Sequence, residues 1–153
     1  MSEYEYQEER YQDVIEEMKP LLEEHYAEVA MYQESINFNP NYELYEAMAD
    51  QGIVDFFTCR KDGELIGYCV TFLQMNPHYQ DHIYAVNDVI YVHPDHRHTE
   101  VAPEMITQLE DRMIEKGVSV MTFHMKIFKP FESLMDALAF DKAEYVFMKL
   151  IKE

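Results

Sequence analysis

The residues best suited by type to do chemistry lie in one stretch, Asp88 to Met105, DVIYVHPDHRHTEVAPEM. An apolar β-branched run, Val89-Ile90-Tyr91-Val92, meets a turn at His93-Pro94-Asp95, and a short loop, Arg97-His98-Thr99, leads into a helical pattern. A strand that hands a loop of unpaired amides to a helix N-terminus makes a seat for a phosphate group, since the amides and the helix dipole both favour an anion. Arg97 adds either a charge-assisted contact to such a group or a surface ion pair. Asp88 is a carboxylate among apolar residues beside Asn87, which suits it to be a general base, a water holder or half of a structural pair. His124, in Met121-Thr122-Phe123-His124-Met125, is of the residue type whose reference pKa suits general-base work near neutral pH. A hydrogen-bonded histidine at a strand end is the other reading. His78, His82, His93, His96 and His98 fall in the same region, but they alternate strand and loop spacings rather than the i, i+4 pair of a helical metal site, and no cysteine joins them. No metal is expected.

The elements that must position these groups follow from periodicity. Val14, Met18, Leu21, Leu22, His25 and Val29 recur at helical spacing, with Asp13 and Glu16 spaced as a capping box and Pro20 either kinking this helix or opening a second. A short helix after Asn39-Pro40 runs to Gly52. The period then changes: Ile53 to Cys59 is a strand, Arg60-Lys61-Asp62-Gly63 a hairpin turn, and Glu64 to Gln74 the returning strand, with Gly67 at a bulge or close approach. Ile83 to Val92 is a third strand, Val101 to Glu115 a helix capped by Lys116-Gly117, Val118 to Met125 a strand, Pro130 to Leu138 a helix and Glu144 to Ile151 a last strand. The first strand pair is antiparallel and the crossover helix implies a parallel pair. The expectation is therefore an α/β fold: a mixed, largely antiparallel sheet with one parallel crossover pair and helices on both faces, forming a single domain over residues 1–153.

In this order the elements resemble the GCN5-related N-acetyltransferase (GNAT) superfamily. Arg97-His98-Thr99-Glu100-Val101-Ala102 is similar to its Arg/Gln-x-x-Gly-x-Gly/Ala acetyl-CoA motif, with Glu100 where the middle glycine stands. Gly63-Glu64-Leu65-Ile66-Gly67 resembles its hairpin, Asp88 to Arg97 its fourth strand and pyrophosphate loop, and Val120 to Lys126 its fifth strand. Ala139-Phe140 falls where the family ends a helix with Gly-Phe, and Met135 where many members carry a tyrosine acid. The ending, Glu144-Tyr145 then Lys149, is most similar to phage-encoded members. The resemblance implies acetyl-CoA as cofactor, held by the backbone of Ile90, Tyr91 and Val92 and by Arg97, His98, Thr99, Glu100, Val101 and Ala102. It also implies transfer to an amine, with His124 or Asp88 as the base and Tyr145 as the substitute acid. Glu100 and Met135 motivate a second reading, a module of the same fold without transferase activity.

Composition narrows the partners. Twelve basic against 30 acidic residues give a net charge of −18. Residues 1–50 hold 14 acids and 2 bases. Such a surface repels nucleic acid and anionic membrane and favours a cationic acceptor; an acidic decoy of a nucleic-acid-binding protein rests on the charge alone. No apolar run reaches membrane-spanning length, the acidic N-terminus MSEYEYQEER is unlike a signal peptide, and Cys59 and Cys69 suit buried free thiols. A cytoplasmic enzyme is expected, and a homodimer is left open.

Overall fold

The computed structural model describes residues 3–152. In chain order the elements are Tyr4–Glu8 (β1), Tyr11–Val29 (α1), Tyr42–Asp50 (α2), Val54–Lys61 (β2), Glu64–Asn76 (β3), Tyr79–Val92 (β4), Val101–Glu115 (α3), Val118–Thr122 (β5) and Glu132–Ala137 (α4). The strands form one sheet in the order β1-β2-β3-β4-β5, antiparallel up to β4 and parallel between β4 and β5. That is the mixed α/β architecture the pattern predicts. The β2–β3 turn has Asp62 at φ 51° and Gly63 at φ 82°, the paired positive φ values that a two-residue hairpin demands.

Alternation along the strands divides the apolar residues between two layers. On one face Phe57, Cys59 and Cys69 pack against Met105, Leu109 and Met113 of α3. On the other, Phe56, Tyr68 and Val70 meet Val14, Ile15 and Met18 of α1, with Tyr45 and Met48 of α2 beside them. A buried charge also fastens α3 to the sheet. The Asp55 side chain has no exposed surface and pairs with Arg112 at 2.9 Å and Lys116 at 3.4 Å.

Four expectations are corrected. Residues Tyr4–Glu8 form an edge strand, with Tyr4 opposite Lys61 and Glu8 opposite Phe57. The period-two signal was there in Tyr4 and Tyr6, hidden among acids that face solvent. Helix α1 starts at Tyr11, ahead of the Asp13 box: Arg10 is the N-cap without a side-chain bond, and its guanidinium pairs instead with Asp13 at 3.1 Å. Of the two readings of Pro20, the opening of a second helix is excluded, since one helix spans it. Finally, Glu144 to Ile151 makes no strand. Alternating side chains become a strand only where a partner edge supplies the ladder. Here the segment passes the loop after α1 instead, where the Tyr32 hydroxyl donates to the Met148 carbonyl at 3.3 Å.

Candidate active site

Strand β4 builds the site. Along β3 its register runs with Val92 opposite Gly67 and Val89 opposite Val70, then resumes with Asn87 opposite Thr71. Asp88 is thus one residue too many, a β-bulge that bends β4 and re-aims its side chain. Asn87 is buried and pins the bulge, its side-chain amide donating to the carbonyls of Val70 at 3.2 Å and Val89 at 3.0 Å. On the other side β4 pairs with β5 only from Ile83 to Val86. Beyond that point the two strands part, and the bulge stands at the fork.

The fork leaves one edge of β4 open from Asp88 to Val92. Backbone groups along an antiparallel strand alternate in direction. Since His93 donates to the Ile66 carbonyl at 2.7 Å, the peptide groups of Tyr91 face β3 and those of Ile90 and Val92 face the gap. The Val92 carbonyl is indeed met from outside β3, by Arg97 Nε at 2.7 Å. The Tyr91 side chain is buried and stacks on Tyr68 at 5.3 Å, so the residue offers the gap no side chain. Gly67 holds this geometry from behind: an added Cβ would lie 3.1 Å from the Tyr91 carbonyl oxygen.

A single 3-10 turn, Pro94–His96, carries the chain from β4 toward α3. His98 takes φ 61°, and the Thr99 hydroxyl donates to the His96 carbonyl at 2.6 Å while accepting from the Val101 amide at 3.3 Å. Among the described residues, the amides of His98, Thr99, Glu100 and Ala102 donate to no backbone carbonyl. Glu100 is the N-cap residue but makes no capping bond with its side chain. Its carboxylate lies near Tyr6 and Cys59 and helps push both their pKa values up, after the larger effect of burial. Arg97 has a partner other than phosphate. Its guanidinium forms a two-pronged pair with Glu28 of α1, both bonds at 2.9 Å, and lies 5.7 Å from the Tyr91 ring centre. It braces the loop against α1.

The carboxylate of Asp88 accepts a hydrogen bond of 2.5 Å from the hydroxyl of Tyr45 on α2. Asp88 as a residue is exposed at the fork, but partial burial of its carboxyl weighs against the charge. Burial therefore pushes its pKa up, and the bond from Tyr45 partly offsets this. Burial and the same bond raise the Tyr45 phenol well above its ordinary value, so it remains the donor. Tyr45 stacks on Phe72 with ring centres 6.1 Å apart. The sequence predicts the short helix that carries Tyr45, but nothing in its spacing shows that this helix meets a bulge.

The other candidates lie further out. His124 is exposed, two residues past the end of β5, on the β5 side of the fork. Tyr145 is 83% exposed in the segment without regular structure. Met135 and Ala139 belong to the end of α4. There Ala139 has φ 64°, its amide donates to the Asp136 carbonyl at 3.1 Å, and Phe140 donates to Met135 at 2.9 Å. This is a Schellman ending, whose left-handed position normally calls for glycine. The histidines go to separate partners: His82 to Ser119 at 2.8 Å, and His96 to Tyr4 at 3.1 Å. Among the described residues no three His, Cys, Asp or Glu side chains converge on one point.

Comparison with known proteins decides the family. Residues 11–128 match the acetyltransferase (GNAT) family. The chain belongs to that family. Among curated proteins no relative matches this GNAT chain. Solved structures share its fold at low identity. A ribosomal-protein-alanine N-acetyltransferase from Brucella melitensis biovar Abortus 2308 has a TM-score of 0.67 at 20% identity, over 98% of this chain and 99% of its own. An aminoglycoside acetyltransferase from an uncultured soil metagenomic sample, in complex with sisomicin, has a TM-score of 0.71 at 14% identity, over 97% of each chain. A predicted acetyltransferase with acetyl-CoA, from Clostridium acetobutylicum, has a TM-score of 0.72 at 11% identity, over 95% of this chain and 96% of its own.

GNAT acetyltransferases use acetyl-CoA. The groups of this GNAT chain that could hold it are backbone ones. The open β4 edge leaves the peptide groups of Ile90 and the amide of Val92 facing the gap, where an extended, amide-bearing arm could pair with them, and the loop before α3 has amides that could serve a pyrophosphate.

Proposed function

We propose that the protein is an acetyl-CoA-dependent N-acetyltransferase that acts on a primary amine of a cationic acceptor, with Asp88 as the general base. The observation that carries this reading is the Asp88 bulge. It puts a carboxylate of raised pKa at the point where β4 and β5 part.

When bound, acetyl-CoA supplies an acetyl group activated as a thioester. Amides of His98, Thr99, Glu100 and Ala102 would take its pyrophosphate, with Val101 behind them closing the first turn of α3, and Arg97 holds that loop on α1. The peptide groups of Ile90 and Val92 would receive the arm and polarise the carbonyl. An amine arrives as an ammonium ion and must lose a proton before its lone pair can form the C–N bond. Asp88 accepts that proton, and its raised pKa brings it nearer the working pH of a base. Among the described residues, no side chain at the fork is placed to protonate the thiolate that would leave as the C–N bond forms, so solvent would supply that proton. Tyr145 stands too exposed for that task, and Tyr145→Phe should leave turnover unchanged. His124 would line the acceptor's route on the β5 side.

The acidic surface favours cationic acceptors; the sisomicin-bound neighbour makes aminoglycosides one class to try, beside polyamines and lysine-rich peptides. Both cysteines are free and buried, which supports a reducing compartment such as the cytoplasm; no helix of the described chain is long and apolar enough to cross a membrane. The test is thiol release from acetyl-CoA with spermidine, a lysine-rich peptide and sisomicin in turn. Release that depends on amine and is lost in Asp88→Asn supports the reading. Release lost in His124→Ala but kept in Asp88→Asn would move the base to His124.

A further inference from the structure

The bulge alone does not explain how a carboxylate at an open fork keeps one orientation and one charge state. Two observations join at Tyr45. Its hydroxyl reaches across from α2 to Asp88 at 2.5 Å, and its ring is stacked on Phe72 of β3, half-buried among the residues of the α1–α2 layer. Phe72 pairs with Val86, the last β4 residue still joined to β5, so Tyr45 rests on the stem of the fork and reaches its tip. Helix α2 is itself fixed at its start by Asn41, whose side chain accepts from the Leu44 amide at 3.0 Å.

We propose that Tyr45 is the positioning residue of the acetyl-transfer site: its hydroxyl holds the Asp88 carboxylate in one rotamer and keeps it ionised until the amine arrives. This deepens the reading of Asp88 as base and rests on it. A carboxylate has two oxygens. The bond from Tyr45 engages Oδ2, and among the described residues Oδ1 has no hydrogen-bond partner, which leaves it to take the amine's proton. The groups around Asp88 make Tyr45 the decisive one. From α2 come Tyr45 and, behind it, Tyr42; on the sheet face that Tyr45 covers β3 carries apolar Val70 and Phe72; and Asn87, next to Asp88 in β4, has its amide committed to two carbonyls. Among the described residues no lysine or arginine acts on Asp88. With no cation nearby, a donated hydrogen bond is what opposes the pull of burial toward the neutral acid.

The consequence is specific in sign. Tyr45→Phe keeps the ring and its stack on Phe72 but removes the donor. The Asp88 carboxyl then protonates at higher pH, by about one pH unit for the loss of a hydrogen bond to a charged group.

The direct test reads Asp88 without any acceptor. The carboxyl carbon of Asp88, assigned in ¹³C-aspartate-labelled protein by its absence in Asp88→Asn, is titrated by NMR in the wild type and in Tyr45→Phe. The expected result is a titration moved upward by about one unit, with the melting temperature at pH 7 lowered by only about 3–6 °C, so that the protein stays folded throughout the titration. The acidic limb of thiol release from acetyl-CoA, with the best amine of the panel, should move upward with it. Tyr45→Phe should do nothing further in the Asp88→Asn background. An unmoved titration in Tyr45→Phe overturns the role of Tyr45, whatever Asp88 does. A titration that moves while the acidic limb stays fixed, with the limb still present in Asp88→Asn, overturns Asp88 as base and the positioning role with it.

Discussion

Asp88 is subject to two opposed effects, burial that favours the acid and a phenol that favours the carboxylate, and burial prevails. The sign of the stability effect follows. A carboxyl whose folded pKa lies above its unfolded value contributes stability below the unfolded pKa, and that contribution is lost as pH rises through the folded value. Asp88→Asn, which keeps the neutral shape, should therefore melt higher than the wild type at pH 7. The difference should shrink as the pH falls below the carboxylate range; melting curves across pH would show it, and a variant that melts lower at pH 7 would contradict the raised pKa. Ala139 makes a second case at this scale. Its φ of 64° is a left-handed conformation that a Cβ disfavours. Ala139→Gly should stabilise the fold by about 1 kcal/mol, read by denaturant unfolding with m unchanged.

Among the elements, β4 does most to shape the site, and Gly67 is its support from β3. Gly67→Ala would put a methyl 3.1 Å from the Tyr91 carbonyl oxygen, a backbone atom that cannot swing away. The strand must shift, so the variant should lose about 1–3 kcal/mol of stability and also bind CoA more weakly, as calorimetry would show. Intact CoA affinity in a destabilised variant would mean that the β4 edge is not the arm's seat. The long strands, the Asp-Gly hairpin and α3 were legible because each pairs a clear period with a strong punctuation residue, Gly63 or Gly117. Strand β1 was not, because its inward face is only Tyr4 and Tyr6 in a run of acids. The bounds of α1 misled for a related reason: Asp13 has the spacing of a cap, but the Arg10–Asp13 pair leaves the helix free to begin earlier. The tail misled in the opposite direction, since Tyr145 to Ile151 has strand composition and no partner edge. At the site, Asp88 was visible as a carboxylate out of place in an apolar run. Its bulge depends on register, and Tyr45 on how α2 lies across the sheet; neither is a local property of sequence.

For the whole molecule the dominant physical fact is charge. A net charge of −18 on 153 residues draws in cations over roughly the screening length of the medium, about 8 Å at physiological salt. For a polycationic acceptor, kcat/KM should fall about tenfold between low and high ionic strength, and for a neutral-bodied amine far less. Equal salt dependence for both would remove the acidic surface from the account of acceptor choice. The two layers on either side of the sheet share the work. On the proposed reading, helix α3 and its preceding loop form the cofactor side, while α1 braces that loop through Glu28 and α2 meets the proposed base, Asp88, through Tyr45. The most direct measurement of that division of labour is acetyl transfer itself. Wild type and Asp88→Asn are each given acetyl-CoA and spermidine, with thiol release followed and the acetylated amine detected by mass spectrometry. The account predicts acetylated product from the wild type and a rate lower by about 10²- to 10⁴-fold in Asp88→Asn, with CoA affinity retained. Product formed at the same rate by both would contradict it.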